Sequence, residues 1–242
     1  MDPLALLIII AAASFIGSAV SAMFATGGAF LMLAISASVL PITAVVPLHT
    51  AFMFGSLVAR VWYFWREIFW PIALPFILGC LIGTSLGAKL YLDLPEFVIA
   101  LVLGLLMLGS TWLPKPKVEI PIKHPFFLVG ILHSLLSTLF AYGALLHPLI
   151  FRTSLNKTQI TATLAGSLFA MGLLKVVGYV AFGFDYLQYL PLVVAATLAG
   201  FAGTWVGRRA HHHISEKLFR QVFRGLMTVF AIRLLFRAWA LY

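Results

Sequence analysis

The sequence predicts an all-α polytopic membrane protein built from two inverted repeats, each a broken or re-entrant helical hairpin plus three transmembrane helices. Three observations lead there. First, 62% of the 242 residues are hydrophobic and only 10% are charged, where a soluble domain carries roughly a quarter charged. Several apolar runs exceed the ~18 residues that mark a membrane span. Second, the two halves of the chain resemble each other. Third, the cationic residues acquire a consistent side only if two segments enter the membrane and return.

Apolar segments fall at 4–40, 45–65, 69–91, 95–113, 125–151, 157–183, 187–208 and 215–240. The first is too long for one span. Thirty-seven residues of straight helix would run about 55 Å against a hydrocarbon core of about 30 Å. It is interrupted by FATGGAFLMLAIS (Phe24 to Ser36), and Thr-Gly-Gly is a turn signal. The opening MDPLALLIII lacks a positive flank, which predicts an uncleaved membrane segment rather than a signal peptide. LPKPKVEIPIKHP (Leu113 to Pro125) reads as an exposed linker. The expected organisation is a first repeat over 1–113, a cytoplasmic linker over 114–124 and a second repeat over 125–242.

The repeat rests on matches in order. GTxxG recurs at Gly83 to Gly87 and Gly203 to Gly207, an offset of 120, and Glu96 matches Glu216. Gly17 and Ser21 match Gly130 and Ser134, and Arg60 sits opposite Lys175. One small-xxx-small match means only close helix packing. Several in sequence mark an internal repeat, common in transporters.

Orientation follows from charge. If all eight segments cross once, Arg60, Arg66, Lys115, Lys117, Lys123, Arg233 and Arg237 face one side. Lys89, Arg152, Lys157, Arg208, Arg209, Lys217 and Arg220 then face the other. That tie leaves the positive-inside rule without an answer. If 4–40 and 125–151 return to the side they left, only Lys89, Arg233 and Arg237 remain outside, and the two GTxxG loops lie on opposite faces. A multi-pass protein of the inner (plasma) membrane is expected.

The hairpin tips are the expected chemistry. Gly27 and Gly28 permit a tight turn and close approach of backbone to ligand. A helix starting there aims free N–H groups and a positive dipole end at the tip, which suits an anion. Thr26 adds a hydroxyl. The second half offers FAYGALLHP (Phe140 to Pro148), with Tyr142 and Gly143 near its turn. Two tips meeting from opposite sides would form a midplane pocket. Ionisable residues inside apolar runs are functional candidates, here Arg60 and Lys175. His49 and Thr50 open the helix after the first hairpin, and Thr161 and Thr163 hold similar places in the second half. Each threonine can instead bond a carbonyl one turn back. His133 and His147 could be pocket groups, and read more simply as satisfied core histidines.

Several classes are excluded. The net charge of +9 belongs to membrane loops, with no aromatic-basic pattern for nucleic acid. Cys80 is the one cysteine, so neither a disulfide nor a Cys metal cluster is expected. His211 to His213 lack carboxylate or thiol neighbours and read as a solvated loop rather than a metal site. No nucleophile elbow, P-loop or HExxH is present, so an enzyme is not expected, and no cofactor is implied. The seven acids fall at or near segment ends, which disfavours a carboxylate proton relay.

GSAVSAMFATGGAFLML, GTSLGAKLYLDLPEFVIALVLGLLML and GTWVGRRAHHHISEKLFRQVFRGLM, in that order over nearly the whole chain, resemble the sulfite exporter TauE/SafE family. The resemblance implies movement of sulfite, sulfate-like or organosulfonate anions such as sulfoacetate. The sequence expectation is therefore a secondary transporter working by alternating access, driven by the substrate gradient or by co-transported H⁺ or Na⁺. Its substrate-binding residues would be Thr26, Gly27, Gly28, His49, Thr50, Arg60, Tyr142, Gly143, Thr163 and Lys175. The alternative is a membrane scaffold or anchor subunit with no substrate of its own. Aromatic faces at Phe52, Phe54, Trp62 and Trp65 point to a homodimer.

Overall fold

A computed structural model describes residues 2–24, 27–113, 125–143, 145–210 and 216–242. The side chains of Phe24, Ser56, Ala59, Arg60, Tyr63, Arg208, Ala210 and 216–220 are not described. All regular elements among the described residues are helical. They are α1 (Pro3–Phe24), α2 (Gly28–Val39), α3 (Ile42–Phe52), α4 (Phe54–Phe64), α5 (Trp70–Asp93) and α6 (Glu96–Trp112). The second half supplies α7 (Phe126–Phe140), α8 (Leu146–Ile150), α9 (Lys157–Ala181), α10 (Leu190–Ala210) and α11 (Glu216–Leu241). Helices α1, α5, α9 and, with the turn before it, α10 are long and apolar enough to cross a membrane. Helix α6 is a shorter apolar helix, and α11 carries arginines along its length.

The local signals explain the breaks. The apolar segment 4–40 ends its first helix at Phe24 and restarts at Gly28, after Gly27 at φ 96°, a left-handed value that glycine adopts without a Cβ penalty. The segment 45–65, expected as one helix, is two. Pro47 removes a backbone donor inside α3, and the chain turns at Met53, whose N–H is shared by the His49 and Thr50 carbonyls at 3.2 Å each. The next helix starts with Gly55 pressed close to the Thr197 backbone. Segment 125–151 breaks at Ala141, φ 52°, and leaves α8 only five residues long. Asn156 starts α9 through a reciprocal capping box with Gln159.

The chain forms two compact units. One comprises Met1–Ser56, Leu94–Lys115 and Asp185–Tyr242. Its main packing is α1 on α10 and α11 on α6. A Cβ on Gly203 or Gly207 would strike the backbone of Phe15 or Ala19, and Ser14 donates to the Ala196 carbonyl at 2.6 Å. Helix α2 lies against α1: a Cβ on Gly28 would collide with the Gly17 carbonyl and the Ser21 hydroxyl.

The other unit comprises Leu57–Asp93 and Pro116–Phe184. Here α5 packs on α7 and α9. A Cβ on Gly79 or Gly83 would strike the Phe127 or Ile131 carbonyl, and Gly178 of α9 meets Ala88 of α5. Phe76, Cys80, Val129, Leu146, Leu149 and Met171 form its apolar core. In each unit, therefore, the GTxxG helix of one half of the sequence packs glycine-to-backbone on the first helix of the other half. Such approach replaces the hydrophobic effect, absent between helices in lipid, with dispersion contact.

Candidate functional site

The polar interior of the second unit is built where α7 stops. An α-helix leaves its last four carbonyls without intrahelical partners, and α7 ends inside protein, with Ser137 and Thr138 buried. Two side chains of α9, one turn apart, close it. Lys175 Nζ donates at 2.9 Å to the Ser137 carbonyl, which the Ala141 N–H also reaches at 2.9 Å, and lies 3.3 Å from the Ser137 hydroxyl. The Tyr179 hydroxyl donates to the Thr138 carbonyl, and its ring meets Tyr91 edge-on. A cation at a helix C-terminus opposes the negative dipole end.

Lys175 is 3% exposed, and among the described residues it has no carboxylate partner. Burying a charge without a counter-charge costs several kcal/mol, and the partial charge of one helix end offsets only part of that. Among the described residues its hydrogen bonds go to Ser137, and with three N–H donors it keeps capacity for a further acceptor.

His133 lies one turn before Ser137 on α7, on the same face. It is fully buried. Its Nδ1 accepts the Leu146 N–H at 3.1 Å, fixing the first amide of α8. A ring nitrogen that accepts carries no proton, so the neutral imidazole holds its hydrogen on Nε2. Nε2 has no hydrogen-bond partner among the described residues, and it faces Gly143: a Cβ there would lie 3.2 Å from it. The buried Ser167 and Thr138 hydroxyls also have none. The interior thus holds a lysine and a histidine donor at the broken end of α7, with no acid beside them among the described residues.

The sequence candidates distribute as follows. Gly143 and Lys175 are brought to the same turns of α7, through His133 and Ser137, and the half-buried Tyr142 lies in the link between α7 and α8. Thr163 is buried in the same unit, but its hydroxyl accepts the Phe69 N–H at 2.9 Å and so caps the start of α5. Arg60 lies on α4, and its side chain is not described. Gly27 and Gly28 belong to the first unit, with His49 and Thr50 buried in the last turn of α3. The Thr50 hydroxyl points to the Val46 carbonyl one turn back, at 3.5 Å. Thr26, the linker and His211 to His213 lie outside the described residues. Of the aromatic face, Phe52 is a core residue at 1% exposure, whereas Trp62 and Trp65 are exposed.

At the start of α2 no side chain among the described residues caps the helix. The first intrahelical bond runs from Leu31 N–H to the Gly27 carbonyl. The amides of Gly28, Ala29 and Phe30 are therefore the orphan donors of that end, and Ala29 is exposed.

Ser137 escaped the sequence reading, which took His133 as a core histidine. A lone histidine in an apolar helix is more often a satisfied core residue. The one available signal was the spacing His133-x3-Ser137, polar groups at helical period in an otherwise apolar run. No group of histidine, cysteine, aspartate and glutamate suited to a metal occurs among the described residues.

Together these features define a multi-pass helical membrane protein whose interior, among the described residues, holds cationic and amide donors rather than carboxylates. The family model of the sulfite exporter TauE/SafE matches residues 9–234, and the chain belongs to that family. Neither a curated protein nor a solved structure matches it.

Proposed function

We propose that the protein is a secondary transporter of a small sulfur oxyanion or organosulfonate, with sulfite and sulfoacetate as the leading candidates. Family membership supports the class. The observation that carries the site is Lys175, buried without a carboxylate and bonded to Ser137 at the broken end of α7. An anion supplies the missing counter-charge. A sulfonate or sulfite oxygen would accept from Lys175 and from His133 Nε2, and Gly143 keeps the space beside the imidazole free of a side chain. Lysine at this position also offsets the negative end of α7, which would otherwise repel the anion. The uncapped amides of α2 form a second group of donors suited to the same chemistry.

The chain carries no nucleotide-binding motif, so an ion gradient or the substrate's own gradient drives movement, with H⁺ or Na⁺ as the candidate partner ion. The shared glycine contacts of α5 on α7 and of α10 on α1 support a repeat of 1–113 in 125–242 with the linker 114–124 between. Alternating access would use rearrangement of repeat-related helices. An inverted orientation places Lys89 and Arg209 on opposite sides, and single cysteines at these two exposed positions would label from opposite sides. A homodimer would use the exposed Trp62 and Trp65.

Purified protein in liposomes, offered sulfite, sulfate, sulfoacetate and taurine in a radiotracer or solid-supported-membrane assay, tests the proposal. Saturable flux of at least one anion is expected. Absence of saturable flux with all four would remove the transport reading.

A further inference from the structure

Arg233 and Arg237 fit neither the charge orientation nor the anion path, and the structure gives them a place of their own. They lie one turn apart on α11. With Leu234 they form one wall of a cavity of about 550 Å³, whose other wall is the end of α2 through Pro41. Arg237 Nη1 donates to the Ala37 carbonyl at 2.7 Å and to the Leu40 carbonyl at 3.2 Å. Arg233 Nη2 reaches the Ser38 carbonyl at only 3.5 Å. The α2 carbonyls thus hold one edge of Arg237. Its Nε and Nη2, and most of the Arg233 guanidinium, keep their donors unpaired among the described residues. No carboxylate meets either side chain among those residues. Two guanidinium forks one turn apart match the oxygens of a phosphate, which they can bond in pairs.

The surroundings select the source of that phosphate. On the neighbouring face of α11, Ile232, Phe236 and Trp239 are exposed at helical spacing, Phe236 at 71% and Trp239 at 82%. In a membrane protein an exposed apolar stripe of this kind meets acyl chains, and tryptophan belongs at the headgroup level. A polar cavity with paired arginines beside an acyl-chain surface is the pattern of a basic headgroup pocket. A freely diffusing anion has no use for the apolar wall.

We propose that the Arg233–Arg237 cavity binds the phosphodiester headgroup of an anionic phospholipid, whose acyl chains lie along Phe236 and Trp239. This removes the difficulty of two arginines near the end of the chain, because the lipid neutralises them in place. The proposal is independent of the Lys175 site.

The test is native mass spectrometry of the full-length protein in detergent, offered phosphatidylglycerol or phosphatidylcholine of the same acyl composition. Inorganic phosphate and sulfite are added in separate arms. We expect retention of phosphatidylglycerol at least fivefold above phosphatidylcholine, falling to the phosphatidylcholine level in Arg233→Gln/Arg237→Gln. The paired lysine substitution should keep part of the preference. If the double glutamine variant fails to fold, Arg233→Gln alone, which loses only the long Ser38 contact, should lower the preference at least twofold. Equal retention of the two lipids, or an unchanged preference in the glutamine variants, would overturn the proposal. Displacement of the lipid by millimolar phosphate or sulfite would overturn it too, by making the cavity a site for a free anion.

Discussion

The two interrupted helices of this protein end in different ways. Between α1 and α2 the chain turns through glycine backbone: Gly27 takes φ 96°, and Gly28 touches the Gly17 carbonyl with no room for a side chain. What it presents is main-chain N–H. Between α7 and α8 the turn passes through a non-glycine residue, Ala141, and is held by side chains. His133 fixes the start of α8, while Lys175 and Tyr179 close the end of α7. One break therefore offers dipoles fixed by the fold, and the other offers a side-chain amine that a single substitution can remove. Two halves that share a sequence pattern need not share the chemistry at their breaks.

That contrast can be broken most forcefully at Gly28. Gly28→Val drives a side chain into the Gly17 carbonyl and the Ser21 hydroxyl. Overpacking typically costs 1–3 kcal/mol, more where backbone must move, and we expect a large fall in the melting temperature of the detergent-solubilised protein. Gly143→Ala meets only the edge of an imidazole at 3.2 Å and should leave melting within about 1 kcal/mol of wild type while weakening anion binding. Similar melting of the two variants would erase the distinction between a backbone-made and a side-chain-made turn.

A smaller effect is expected at His133. In His133→Phe the buried Leu146 N–H loses its acceptor, an unsatisfied group worth about 1–3 kcal/mol. Thermal unfolding should show that loss, and flux should fall with it. Thr163→Val removes the acceptor of the Phe69 N–H, with an expected cost of about 1 kcal/mol in thermal unfolding and unchanged anion affinity. The smallest effect belongs to Gly225, exposed on α11 with open space where a Cβ would stand. Gly225→Ala should stabilise the helix by about 0.5–1 kcal/mol and serves as the control for the buried glycines.

Much of this architecture was legible in the sequence because membrane helices are written in unbroken apolar runs. The eight segments reappear within a few residues of their expected ends, three of them as a pair of helices. The break at Gly27 and Gly28 was readable, since glycine pairs in a span have few uses, and so was Lys175, since lysine inside an apolar run is rare. The break at Met53 was not, because Pro47 is compatible with a continuous kinked helix, and the contact of Gly55 with Thr197 depends on a helix more than a hundred residues away. His133 was hidden for the same reason. Its Nε2, without a partner among the described residues, faces Gly143, a relation created only when α7 stops and the chain folds back. Thr163 shows the same limit: its hydroxyl, offered by the sequence to an anion or to a carbonyl one turn back, accepts the Phe69 N–H in three dimensions.

The central claim is that Lys175 supplies charge to a bound anion rather than merely closing α7. Equilibrium binding of sulfite and sulfoacetate to wild type and Lys175→Met, paired with thermal unfolding, tests it directly. The Ser137 carbonyl keeps the Ala141 N–H at 2.9 Å when the lysine is gone, so melting should change little. A hydrogen bond to a charged group is worth about 1.5–3 kcal/mol, so affinity should fall roughly 10- to 100-fold. Wild-type affinity in a folded Lys175→Met protein would contradict the account.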